Sequence, residues 1–172
     1  MEKVRQILHV YENFPSEGVT FVDMPDILAD PEAMRTVVDG LKDKIAADRI
    51  DVVCGLESRG FYFGIPLAMA LGVPFVPIHK PNKLPGAVER AEYRKIYGAD
   101  IMEVQKNRFR PGARVVVLDD AMASGGSLRT ACELLQKCGC EVVAALCVVE
   151  FPALNGRQNL PPGVAFHSLL SY

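Results

Sequence analysis

The sequence predicts an α/β domain built on a mostly parallel, twisted sheet flanked by helices, with residues 1–172 forming one unit. Short β-branched runs alternate with longer helical stretches along the chain, the order expected when parallel strands are joined by crossover helices. Residues 50–78 read as strand, helix and strand in direct succession, a right-handed βαβ crossover. A chain of 172 residues, about half of them apolar, is long enough to bury the core such a sheet needs.

Residues 2–11 read as an opening helix, stopped by Pro15 and Gly18 in a turn cluster. Asp30-Pro31 places a capping carboxylate before a proline at the first helical position. The helix it starts reaches about residue 47 and carries Met34, Val37, Val38, Leu41 and Ile45 on one face. Residues 50–54 form the first strand of the sheet and run straight into Gly55-Leu-Glu-Ser-Arg-Gly60, after which a helix ends near Leu71-Gly72. Residues 73–78 are the next strand, and ligands of such sheets sit beyond the strand carboxyl ends. Residues 79–100 hold Pro81, Pro85, Gly86, Gly98 and seven Lys, Arg or Glu residues without a clear period. A polar loop of about twenty residues in a compact domain is uncommon unless functional, so this stretch is expected to be a mobile lid. Strands are expected at 101–105, 114–118, 142–149 and 164–168, with a helix over 128–137.

The formal net charge of −2 argues against holding nucleic acid by bulk electrostatics. No run of 18 apolar residues occurs, and the first segment lacks the apolar core and cleavage site of a signal peptide, so a cytoplasmic protein with no membrane or nucleic-acid partner is expected. Cys54, Cys132, Cys138, Cys140 and Cys147 are odd in number and lack zinc-ligand spacing, which predicts reduced thiols packed in the core.

The chemistry concentrates in the stretch from Arg114 to Ala131. An apolar strand ends in Asp119 and Asp120, and Ala123-Ser-Gly-Gly-Ser127 then turns into a helix. Glycines let backbone N–H groups approach a ligand closely, and the positive end of the helix points at the same spot, which makes a phosphate cradle. The pattern is neither GxxxxGK[ST] nor GxGxxG, so nucleoside-triphosphatase and dinucleotide readings are disfavoured.

With these residues in view, the chain resembles the adenine branch of the type I phosphoribosyltransferases. The run Asp119-Asp120-Ala-Met-Ala-Ser-Gly-Gly-Ser127 matches that family's signature for phosphoribosyl pyrophosphate. Phe14-Pro-Ser-Glu-Gly-Val-Thr-Phe-Val-Asp23, Gly55-Leu-Glu-Ser-Arg-Gly60, Lys80-Pro-Asn-Lys-Leu-Pro-Gly86, Glu150-Phe151 and Leu154-Asn-Gly-Arg157 extend the likeness over nearly the whole chain. The resemblance implies a type I phosphoribosyltransferase fold with a small N-terminal hood over residues 1–30 on the base side and a lid over 79–100. It implies transfer of a 5-phosphoribosyl group to N9 of adenine, giving AMP and pyrophosphate with inversion at C1′, by a homodimer whose partner loop reaches into the site at position 79. Mg²⁺ is implied as a cofactor held mainly by substrate oxygens.

By the same resemblance, Ala123, Ser124, Gly125, Gly126 and Ser127 hold the 5′-phosphate, while Asp119 and Asp120 face the ribose hydroxyls and the charge developing at C1′. Arg59, Lys80, Lys83 and His79 face pyrophosphate, and Glu57-Ser58 is joined by a cis peptide. Phe151 stacks on the base opposite Thr20 to Val22, and Tyr97 belongs to the lid.

Three positions depart from the family pattern. His79 stands where an arginine is usual, exchanging a permanent cation for a titratable one. Ile96 replaces the lid glutamate credited with helping proton transfer at N7, and Val22 replaces a basic residue near the base. Glu92, one turn before Ile96 if the lid is helical, is a substitute acid on paper; Glu89, Glu92 and Glu103 otherwise read as solvated lid charges. A relative preferring a 6-oxopurine, and a non-catalytic phosphoribosyl pyrophosphate sensor, remain open alternatives. His9 and His167 sit outside every motif.

Overall fold

The computed structural model of the chain describes residues 1–94 and 99–172. In order along the chain they form α1 (Glu2–Ile7), β1 (Val10–Glu12), β2 (Thr20–Val22), α2 (Pro25–Ala29), α3 (Pro31–Lys44), β3 (Val52–Leu56), α4 (Arg59–Leu71) and β4 (Phe75–Ile78). There follow β5 (Val88–Arg94), β6 (Ala99–Gln105), β7 (Arg114–Met122), α5 (Gly126–Lys137), β8 (Glu141–Glu150) and β9 (Ala165–Ser171). The central sheet has five strands in the order β4-β3-β7-β8-β9, all of whose neighbours run parallel. This is the α/β architecture expected.

Both faces of the sheet are covered, as an all-parallel sheet requires. Strand alternation sends Val53, Val116, Leu118, Ala144, Leu146 and Val148 to one core with α1 to α4. Val52, Cys54, Val115, Val117, Ala145 and Cys147 go to the other, with α5 and the β5–β6 hairpin. Asp30 caps α3 as expected, its carboxylate accepting the N–H of Glu32 at 2.8 Å and of Ala33 at 3.2 Å. Val37, Val38, Leu41 and Ile45 are buried, with Met34 at the margin. Burying each such side chain contributes roughly 1.5–3 kcal/mol. The five cysteines are free; Cys138 is half-buried and the rest are buried.

Several expectations are corrected. The opening helix stops at Ile7, and residues 10–12 pair antiparallel with 20–22, Tyr11 facing Phe21 across the ribbon. The helical spacing of Val4, Ile7 and Leu8 does not extend to 11 because Val10 and Tyr11 serve a strand. Residues 88–94 are a strand rather than irregular loop, paired in register from Val88 opposite Gln105 to Arg94 opposite Ala99. A long two-stranded ribbon with mixed faces leaves only a weak period, which hid it. Glu92 lies in that strand opposite Ile101, so the helical-turn relation to residue 96 does not hold at Glu92. Glu103 is fully buried rather than solvated, and Glu89 pairs with Lys106 at 2.8 Å. Strand β7 continues through Met122, so Asp119 and Asp120 lie within it rather than after it. The positions of Ile96 and Tyr97 fall outside the described residues.

Candidate active site

The site lies where β3, β7 and their following helices meet. Gly60 opens α4 against β7 so closely that a Cβ there would come within 2.5 Å of the Leu118 carbonyl oxygen. That contact sets Arg59 beside the carboxylate pair: its Nε donates to Asp120 Oδ2, and its guanidinium lies 5.7 Å from the Phe21 ring centroid. The Glu57-Ser58 peptide that leads into it is cis, as is Phe14-Pro15.

Asp120 is only 4% exposed, and its N–H donates to Asp119 Oδ1 at 2.9 Å. Burial, and then the neighbouring Asp120 charge, push the Asp119 carboxyl well above the ordinary carboxylate range. The pair therefore carries less than two full negative charges, and Arg59 already meets the Asp120 carboxylate.

Beyond β7 the chain makes the turn from Ala123 to Ser127. Gly125 has φ +79°, a left-handed conformation natural to glycine, and α5 starts at Gly126. The first turn of α5 leaves N–H groups without helical partners, aimed with the helix dipole at the mouth of the turn. Residues 123–128 line a cavity of about 770 Å³ together with Val19, Thr20, Phe21, Val22, Met122 and Phe151. One end of this cavity is backbone and hydroxyl; the other is apolar and aromatic. Phe151 is anchored there by its N–H to the Met122 carbonyl at 3.0 Å.

A second cavity, about 350 Å³, opens on the other side of Asp119 and Asp120. Arg59, Ser58, His79, Lys80, Ile101 and Met102 are among its walls, and Arg59, Asp119, Asp120 and Ser127 belong to both cavities. Sequence reasoning assigned Glu57 no role, yet it organises this wall. Its Oε2 accepts His79 Nδ1 at 2.9 Å and the Lys80 N–H at 2.9 Å, and its Oε1 accepts Lys83 Nζ. Burial alone would raise the Glu57 pKa, but these hydrogen bonds and the lysine charge pull it down to about 2. Lys83 is thereby held on Glu57 and is not on the cavity wall, whereas Lys80 and His79 are. His79 lines the cavity of its own chain, with Phe61 edge-on to its ring at 5.2 Å.

Glu103 holds the same loop from behind. Its Oε1 accepts the N–H groups of Lys83 at 2.9 Å and Leu84 at 3.1 Å, and its Oε2 accepts Arg90 Nε at 3.0 Å. Its backbone pairs with that of His79 in both directions. The sequence signal that marks it is a single acidic residue in the otherwise apolar run Ile101-Met102-Glu103-Val104.

Of the residues singled out from sequence, Asp119, Asp120, Arg59, Ala123, Ser124, Gly125, Gly126, Ser127, His79, Lys80, Phe151, Thr20 and Val22 all line the paired cavities. Lys83 stands one ion pair away.

Comparison with known proteins gives this geometry a family. Residues 25–161 match the model of the phosphoribosyl transferase domain. An adenine phosphoribosyltransferase of Rhodospirillum rubrum is 46% identical over 167 residues, covering 95% of this chain and 96% of that protein. One from Clostridium perfringens is 41% identical over 165 residues, covering 96% and 95%. Among solved structures, the Saccharomyces cerevisiae adenine phosphoribosyltransferase, complexed with adenine and D-2,5-dideoxy-2,5-imino-altritol 1,6-bisphosphate, superposes with a TM-score of 0.92. It is 40% identical and is matched over 98% of this chain and 97% of its own. A carboxylate pair within a strand, a glycine turn into a helix and an arginine after a cis peptide thus sit on the fold these proteins share: the chain belongs to the phosphoribosyl transferase family, in its adenine phosphoribosyltransferase branch.

Proposed function

We propose that the chain is a purine-salvage enzyme that moves the 5-phosphoribosyl group of phosphoribosyl pyrophosphate to N9 of adenine. The C1′–O bond to pyrophosphate breaks, the N9–C1′ bond forms with inversion, adenine gives up its N9 proton, and AMP and pyrophosphate leave. One observation carries this reading: two cavities of unlike chemistry meet at Arg59, Asp119, Asp120 and Ser127, which suits a substrate with an anion at each end and a reacting carbon between. The adenine bound in the yeast relative supports the base.

The turn from Ala123 to Ser127 takes the 5′-phosphate on backbone N–H groups and hydroxyls. The ribose lies over Asp119 and Asp120, whose negative charge becomes more favourable as positive charge grows on the ring. Arg59, Lys80 and His79 receive the departing pyrophosphate, with Lys83 available once it leaves Glu57. The base enters between Phe151 and the strand from Thr20 to Val22. Mg²⁺, a hard cation held mainly by substrate oxygens, would neutralise charge on the leaving group in the cavity that Asp119 and Asp120 line.

Residues 1–30 act as the base-side hood and 79–100 as the lid of a single domain. The working state is a homodimer in the cytoplasm. Tyr62, Ile65 and Met69 form an exposed apolar stripe on α4, Met69 at 77% exposure, which supports burial against a second copy. Among the described residues no helix is long and apolar enough to cross a membrane.

The test is steady-state nucleotide formation by purified protein with phosphoribosyl pyrophosphate and Mg²⁺, offering adenine, hypoxanthine and guanine separately. AMP from adenine, with turnover in the ordinary range of about 1–10³ per second and little product from the other bases, is expected. Product from a 6-oxopurine in preference, or phosphoribosyl pyrophosphate binding without any nucleotide, would overturn the reading.

A further inference from the structure

Thirty residues beyond the glycine turn, the chain comes back to touch it. A Cβ added at Gly125 would meet the Gly156 carbonyl oxygen at 2.4 Å, and one added at Gly156 would meet the Ala123 carbonyl oxygen at 2.3 Å. The two backbones are therefore in direct contact, with no side chain between. Asn159 adds a hydrogen bond from Nδ2 to the Ser124 carbonyl at 2.8 Å. That bond fixes the carbonyl of the Ser124–Gly125 peptide, and the Gly125 nitrogen lies within 3.0 Å of where a Cβ on Gly156 would stand, so the returning segment bears on both ends of this peptide.

The returning segment is itself pinned. Glu150, 3% exposed, accepts Arg157 Nε at 2.5 Å and Nη2 at 2.6 Å, and Ser168 Oγ at 2.8 Å. The Arg157 guanidinium lies 4.9 Å from the Phe166 ring centroid. A two-pronged Arg–carboxylate pair fixes both position and orientation. It also joins the segment to the residue just before Phe151, which lies on the apolar side of the same cavity.

We infer that Gly156 and Asn159, held by the Glu150–Arg157 pair, are positioning residues that set the shape of the phosphate-binding turn. They line neither cavity and act only through Ala123, Ser124 and Gly125. The inference rests on the proposed reading that this turn binds the 5′-phosphate.

Titrating wild type, Asn159→Ala and Gly156→Ala with ribose 5-phosphate and, separately, with pyrophosphate tests it. Asn159 is exposed, so its alanine variant should fold with an unchanged Tm. Expected is a 3- to 10-fold weaker Kd for ribose 5-phosphate in Asn159→Ala and a larger loss in Gly156→Ala, with pyrophosphate affinity within twofold of wild type. In turnover, KM for phosphoribosyl pyrophosphate should rise while KM for adenine holds. An unchanged ribose 5-phosphate Kd in Asn159→Ala, or equal weakening of both ligands, would overturn the inference and leave the functional reading standing. Failure of wild type to bind ribose 5-phosphate would overturn both.

Discussion

The two ends of the cleft are built by different means. The turn from Ala123 to Ser127 is made of backbone: glycines, helix N–H groups and a backbone contact with Gly156. The loop from His79 to Leu84 is held by side chains, with Glu57 gripping it from the cavity and Glu103 from the core. A backbone cradle is fixed by sterics and insensitive to pH, whereas a loop held by carboxylates depends on their ionisation. The rigid end suits a phosphate that stays on the product, and the charge-held end suits the group that must leave.

The largest effect is expected at the rigid end. Gly125→Ala forces a Cβ onto the Gly156 carbonyl at a positive φ. A displacement of about 1 Å in a positioning group costs about 10²-fold in rate, so kcat/KM for phosphoribosyl pyrophosphate should fall by at least that much, measured by initial rates. Glu103→Gln strikes the charge-held end from the core. It weakens hydrogen bonds to a fully buried carboxylate and removes the negative charge that faces Arg90. Thermal melts should show Tm lower by about 4–8 °C, with pyrophosphate binding weakened more than ribose 5-phosphate binding.

Glu57 sharpens the contrast in pH. Its folded-state pKa of about 2 lies below the ordinary 4.5, so the ionised form stabilises the folded state. The contribution is complete above about pH 4.5 and is lost as pH falls towards 2. Denaturant unfolding from pH 6 to pH 3 should therefore show a shallower loss of stability in Glu57→Gln than in wild type. The smallest effect belongs to a site remote from both ends. Asp30→Ala removes the cap of α3 and should lower Tm by about 2–4 °C with KM values unchanged.

The same contrast explains what could be read from sequence. The cradle is contiguous, so its carboxylates, glycines and hydroxyls announce themselves in nine residues, and the parallel core follows from apolar strands such as residues 114–118. The capped start of α3 is equally local. The charge-held end draws on Glu57, residues 79–84, Arg90 and Glu103, which are brought together only by the sheet and the hairpin. The apolar run around Glu103 marks an unusual acid, but nothing local says that the Lys83 and Leu84 N–H groups are its partners. Nor does Gly156 reveal, before folding, that its backbone rests on Gly125. The β5–β6 ribbon was obscured because its polar faces resemble a loop, and α1 ended early because apolar residues at 10 and 11 serve a strand.

On this reading the two ends hold the two halves of one substrate across Arg59, Asp119 and Asp120. Calorimetric titration of pyrophosphate into protein already saturated with ribose 5-phosphate, followed by displacement of each by phosphoribosyl pyrophosphate, tests it most directly. Simultaneous binding of the two halves, with both displaced by phosphoribosyl pyrophosphate, is the predicted result. Mutual exclusion of ribose 5-phosphate and pyrophosphate, or failure of phosphoribosyl pyrophosphate to displace either, would contradict it.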